Sequence, residues 1–179
     1  MRAGIVLLTL ATLSYPFIVF FLLRDHGIQV LALPLCLMAA LRIVLRREWI
    51  WGTCLLALAG ATLLTRQSLP AKFYPVAVNL GLLMVFGQSL LHPPSVVERL
   101  ARLREPSLPP AAVAYTRRVT QVWCGFFLVN AGICAWLAIA GRDADWALYC
   151  GAISYALAGL LFATEFVVRT LLRRKWRNV

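Results

Sequence analysis

Charged residues in this chain come in short clusters separated by long uncharged stretches, and that spacing decides what it can fold into. A helix of about 20 apolar residues crosses roughly 30 Å of hydrocarbon, whereas a soluble domain of this size distributes charge along every element. Composition agrees: 61% of the 179 residues are hydrophobic and 14% are charged, against about 25% charged in ordinary soluble domains. The pattern predicts an all-α integral membrane protein, a single transmembrane domain over 1–179. Its six transmembrane helices fall at about 3–23, 27–45, 49–65, 73–91, 119–141 and 146–168. The second and third are the shortest, and the second reaches full length only if Arg42 extends its guanidinium to the interface. The stretch after Met1-Arg2 is longer than the core of a cleavable leader and lacks a small-residue cleavage site, so it is read as the first span.

Loop charges orient the array. With the N-terminus in the cytosol, the outer connections hold only Arg24, Arg66, Lys72 and Arg142 of the 18 Lys and Arg residues. The other fourteen fall in the cytosolic segments, as the positive-inside bias requires. This predicts a multi-pass membrane protein with both termini cytosolic. It also accounts for the +11 net charge without nucleic acid as a partner; membrane lipids are the expected one. The five cysteines lie inside predicted spans without metal-ligand spacing, so neither a metal nor a cofactor is expected.

The connection 92–118 has local design of its own. His92-Pro93-Pro94 stops the fourth helix, and Ser95-Val96-Val97-Glu98 has the form of a capping box, predicting a short cytosolic amphipathic helix between the fourth and fifth spans. Its apolar stripe (Val96, Val97, Leu100, Leu103) suits the headgroup region, with Arg99, Arg102 and Arg104 as a partner or lipid surface. Beyond Pro109-Pro110 nothing breaks helix as far as Ala140, so the fifth helix should extend past the membrane as a stem carrying Tyr115, Arg117, Arg118 and Gln121.

Polar residues within the spans are the candidate binding residues. Asn79 and Asn130 lie mid-span, where each amide needs a partner. Thr116, Trp123 and Asn130 recur at seven-residue spacing on one face of the fifth helix. Gln88, Ser89 and His92 end the fourth helix at the level where Arg117, Arg118 and Gln121 open the fifth, which would make one vestibule. Glu165, near the cytosolic end of the sixth helix, should pair with Arg169 or Arg42. His92 and Glu165 are the two candidates for chemistry. No Ser-centred acyl-transfer motif appears, and His26 lies on the opposite side from His92, which excludes a Cys-His-His set.

The block FYPVAVNLGLLMVFGQSLLHPPSVVERLARLREPSLPPAAVAYTRRVTQVWCGFFLVN, with WALYCGAISYALAGLLFATEFVVR further on, resembles a family of uncharacterised bacterial inner-membrane proteins. The resemblance covers about the last 110 residues. Members are usually encoded beside acyl carrier proteins, ketosynthase-like enzymes, acyl-activating ligases and glycosyl- or acyltransferases of aryl-polyene and related lipid pathways. It implies that the membrane is a bacterial inner membrane, and an accessory or scaffold role in an acyl-lipid pathway at its cytosolic face, with acyl carrier protein as a partner drawn to the loop arginines. The family has Asn where this chain has Cys150, which weakens any catalytic role there. Membrane-embedded acyl or glycosyl transfer through His92 or Glu165, and transport of a lipid or small molecule, are the alternatives.

The charge bias generates a direct test. In a background without the native cysteines, a cysteine at Ser107 should react with a membrane-impermeant maleimide only once the cytosolic face is opened. Labelling from outside intact cells would reverse the topology.

Overall fold

The computed structural model describes residues 15–22, 32–46, 49–103 and 105–176. Among them there is helix and no strand. Helix α1 covers 15–22. It is followed by α2 (Ala32–Arg46), α3 (Trp49–Thr65), α4 (Leu69–Lys72), α5 (Tyr74–Leu91), α6 (Val96–Arg102) and α7 (Pro110–Ala140). A last rod begins as α8 (Asp143–Leu148), passes through a π-helical turn (Tyr149–Ile153) and continues as α9 (Ser154–Trp176).

Three of these helices are long and apolar enough to cross a membrane: Leu69–Leu91, Pro110–Ala140 and Asp143–Leu171. At about 1.5 Å per residue the 31 residues of α7 reach about 46 Å, well beyond the hydrocarbon thickness. The 15 residues of α2 and 17 of α3 reach only about 22 and 25 Å. The early part of the first predicted span, residues 27–31 of the second, and the positions of His26 and Arg104 lie outside the described residues.

Local chemistry explains the boundaries. Pro109 and Pro110 open α7, where a missing N–H costs no helical bond. Ser95 caps α6 in extended conformation and accepts from the Glu98 backbone N–H at 3.4 Å. The Glu98 side chain does not return to close the box. Its Oε1 accepts from Arg102 Nε and Nη2 at 2.9 and 2.7 Å, because the i, i+4 spacing sets a guanidinium fork over it. Helix α3 ends at Arg66, whose φ of 53° is the left-handed conformation that closes many helices.

The contacts divide the chain into two compact units, 1–77 with 132–153, and 78–131 with 154–179. In the first unit α2 and α3 form a tight hairpin. A Cβ on Gly52 would stand 2.3 Å from Ile43 Cγ1, so glycine is what lets the backbones approach there. Arg42 holds its guanidinium 5.8 Å from the Trp51 ring centroid. Tyr15 is fully buried and donates to the Ala71 carbonyl at 2.9 Å, its ring 4.4 Å from that of Tyr74. Phe17 packs on Gly151 of the π turn, where a Cβ would come within 2.7 Å of it. The ammonium of buried Lys72 pairs with the carboxylate of Asp143.

In the second unit Asn79 and Phe86 of α5 meet Trp123, Phe127 and Asn130 of α7, on which Thr116 and Thr120 are also buried. Phe86 approaches Phe127 edge-on at 5.1 Å, and Trp123 lies 5.6 Å from Phe127. Helix α9 is different: between 154 and 171 only Ser154 is buried.

The Lys72–Asp143 pair yields a stability test. Asp143→Asn should strand a buried ammonium and cost about 1–3 kcal/mol, read as a lower melting midpoint in detergent. Lys72→Met added to Asp143→Asn should recover most of that loss. Additive losses would mean that the pair is not coupled.

Candidate functional site

Helix α7 has two working faces. Thr116, Thr120, Phe127 and Asn130 are buried, and Asn130 Nδ2 donates to Asn79 Oδ1 of α5 at 3.0 Å. The two mid-helix amides thus bond to each other across the helix pair. The threonines turn inward to their own helix, Thr116 Oγ1 donating to the Val113 carbonyl and Thr120 Oγ1 to the Thr116 carbonyl, each at 2.8 Å. The face predicted to be polar is therefore used in packing.

About 100° around the helix, a second stripe follows the spacing i, i+3, i+7, i+10, i+14: Tyr115, Arg118, Val122, Gly125, Val129. Its apolar part, with Leu157, Leu161 and Thr164 of α9, lines an open groove of about 490 Å³. The groove offers hydrocarbon and almost nothing else. Thr164, its one polar lining residue, already donates its hydroxyl to the Leu160 carbonyl at 2.8 Å. At Gly125 a Cβ would meet nothing within 4 Å, so the absent side chain leaves open space there.

The groove ends in polar chemistry on the side of Val122 and Thr164. Tyr115, two turns before Val122, donates its hydroxyl to the Glu165 carbonyl at 3.5 Å and ties α7 to α9. The Glu165 carboxylate lies 3.4 Å from Arg169 Nε, with side-chain exposures of 10% and 19%. That is an ion pair, yet Glu165 Oε1 accepts no hydrogen bond. Arg118, an exposed residue, stands one turn before Val122. Of the two partners predicted for Glu165, the structure supplies Arg169, while Arg42 lies over Trp51.

Other sequence candidates fall into separate places. Ser89 is buried in the last turn of α5, donating to the Phe86 carbonyl at 2.7 Å and accepting from the Val96 N–H at 3.0 Å. Gln88, His92, Arg117, Arg118 and Gln121 are exposed, and no hydrogen bond or ion pair joins any two of the six described vestibule residues. Arg99 Nε donates to the Pro94 carbonyl at 2.9 Å, and Arg102 Nη1 to the Pro106 carbonyl at 3.0 Å beside its bonds to Glu98. Arg102 thereby braces its own segment, and Arg117 and Arg118 present the exposed charge. No three His, Cys, Asp or Glu residues among those described could hold a metal ion together.

Sequence reasoning missed Gly125 and the groove. The α7 stripe was visible as spacing, but a groove needs the opposing face of α9, and one helix's periodicity does not supply it. Neither the family models, nor the curated proteins, nor the solved structures contain a match to this chain.

The ion pair at the groove's end can be tested on stability. Glu165→Gln leaves a mostly buried guanidinium without its carboxylate and should cost about 1–3 kcal/mol. Arg117→Gln, at an exposed position, should change the melting midpoint little. Equal effects of the two substitutions would show that the Glu165 pairing contributes no more than a surface charge.

Proposed function

We propose that this chain is a multi-pass protein of the bacterial inner membrane that holds the acyl chain of an anionic lipid intermediate along α7 and α9, as an accessory subunit of an acyl-lipid or aryl-polyene pathway. The observation carrying the reading is the groove with no available polar atom, ended by Tyr115, Arg118, Glu165 and Arg169. A hydrocarbon tail fits the first part and an anionic head the second, since exposed or half-desolvated arginines favour such heads.

Six crossings with both termini cytosolic remain the reading of the loop charges. It is supported by the pairing of Lys72 with Asp143, which belong to connections expected on the same, outer side. At the cytosolic face, Arg99, Arg117 and Arg118 offer cationic encounter points for an acidic carrier protein delivering the chain. Chemistry at His92 lacks a comparable support: no carboxylate or thiol among the described residues hydrogen-bonds to its side chain, as a positioned general base would need.

Gly125→Leu tests the reading, because a Cβ there meets nothing within 4 Å and the longer side chain would occupy the groove. In nanodiscs of neutral lipid doped with an anionic acyl lipid, native mass spectrometry should show that lipid retained by the unsubstituted protein. Gly125→Leu should retain about tenfold less, a loss of about 1.4 kcal/mol, at an unchanged melting midpoint. Arg118→Gln should bind anionic and neutral lipids alike. Equal retention by Gly125→Leu would remove the groove from the function. In cells, deletion should abolish the whole pathway's products, whereas accumulation of one precursor would mark a catalytic step instead.

A further inference from the structure

The first unit brings two thiols together that their separation in sequence does not announce. Cys134, on the last third of α7, and Cys150, in the π turn, stand with their sulphurs 3.2 Å apart, the Cys150 thiol donating to the Cys134 sulphur. Their exposures are 1% and 2%. Cys36 and Cys54 are exposed and Cys124 is half-buried. Thiols serving only as small apolar fillers have no need to meet. Here the π turn, with Phe17 packed against the adjoining Gly151, places the Cys150 sulphur against its neighbour.

We propose that Cys134 and Cys150 are a redox-modified site that closes to a disulfide across the α7–α8 connection. A disulfide needs its sulphurs about 2.05 Å apart, so each has to move by little more than half an ångström. The burial selects the oxidant class: a small uncharged peroxide, able to enter where an enzyme's active-site disulfide has no access. In the first step one thiol attacks the peroxide O–O bond, becoming a sulfenic acid and releasing water. In the second, the neighbouring sulphur attacks the sulfenic sulphur, the S–S bond forms, and the hydroxyl leaves with the remaining thiol proton as a second water. Two electrons have passed from the thiol pair to the peroxide. A dithiol reductant reverses the change by thiol–disulfide exchange. The site is independent of the acyl-chain groove, which belongs to the other unit.

The test uses full-length protein in detergent with Cys36, Cys54 and Cys124 replaced by alanine. Hydrogen peroxide should lower the intact mass by two hydrogens, and the number of maleimide-reactive thiols after denaturation should fall from two to none. Dithiothreitol should restore both readings. Cys150→Ser in the same background should stop at a sulfenic acid on Cys134 that dimedone traps. Peptide mapping of the peroxide-treated unsubstituted protein reads the 134–150 linkage even if the triple replacement does not fold. The proposal is overturned if that map shows both thiols still reduced while Cys36 or Cys54 is oxidised, or oxygen added to either sulphur without a linkage.

Discussion

A helix surrounded by hydrocarbon has no water on which to place a polar side chain, and the interior of this protein follows from how each such group is accommodated. The commonest solution is local. Thr62, Thr65, Thr120, Thr164 and Thr170 each donate to the carbonyl four residues back on their own helix, so five hydroxyls disappear from the recognition surface. The second solution is reciprocal: Asn79 and Asn130 satisfy part of each other's hydrogen-bonding capacity and fix the register of α5 on α7. Where neither solution applies, as at Glu165, an ion pair takes over: its Oε1 lies buried 3.4 Å from Arg169 Nε.

The same logic explains which parts of the fold were legible in the sequence. Helix α3 begins and ends where the uncharged run 49–65 does, and α5 and α7 follow their proline and charge boundaries, because a helix end in this setting is set by the local loss of apolarity. The cap at Ser95 was equally visible, since it needs only neighbouring residues. Glu98 turned to Arg102 because two geometrically allowed partners competed, and a charged donor fork outweighs one backbone N–H. Lys72 with Asp143, Cys134 with Cys150, and the groove at Gly125 all depend on residues brought together by the fold. The π turn left no trace in composition, since the surrounding residues are ordinary helix formers.

The basic segment after α5 shows why charge counts alone overstate a docking surface. Arg102 is bound on two sides, to Glu98 and to the Pro106 carbonyl, and its role is to hold α6 against the chain that follows. Leu100 and Leu103 remain exposed at 58% and 81%, as a helix lying on headgroups would have them. Arg117 and Arg118 occupy a stiffer support, the early turns of a 31-residue helix. Helical geometry fixes the backbone positions from which these two side chains extend.

The sparse burial along α9 bears on how the protein is made. A helix that buries little beyond Ser154 against its own chain derives its place from the hydrophobicity of its side chains, and its insertion needs little from the helices made before it. The segments synthesised before α9 can therefore pack first, and α9 can be laid against α7 afterwards as a lateral addition. Loss of the Tyr115 to Glu165 tie at that stage would leave a chain fully inserted yet with α7 and α9 unjoined at that level, a fault that inspection of membrane integration alone would not detect.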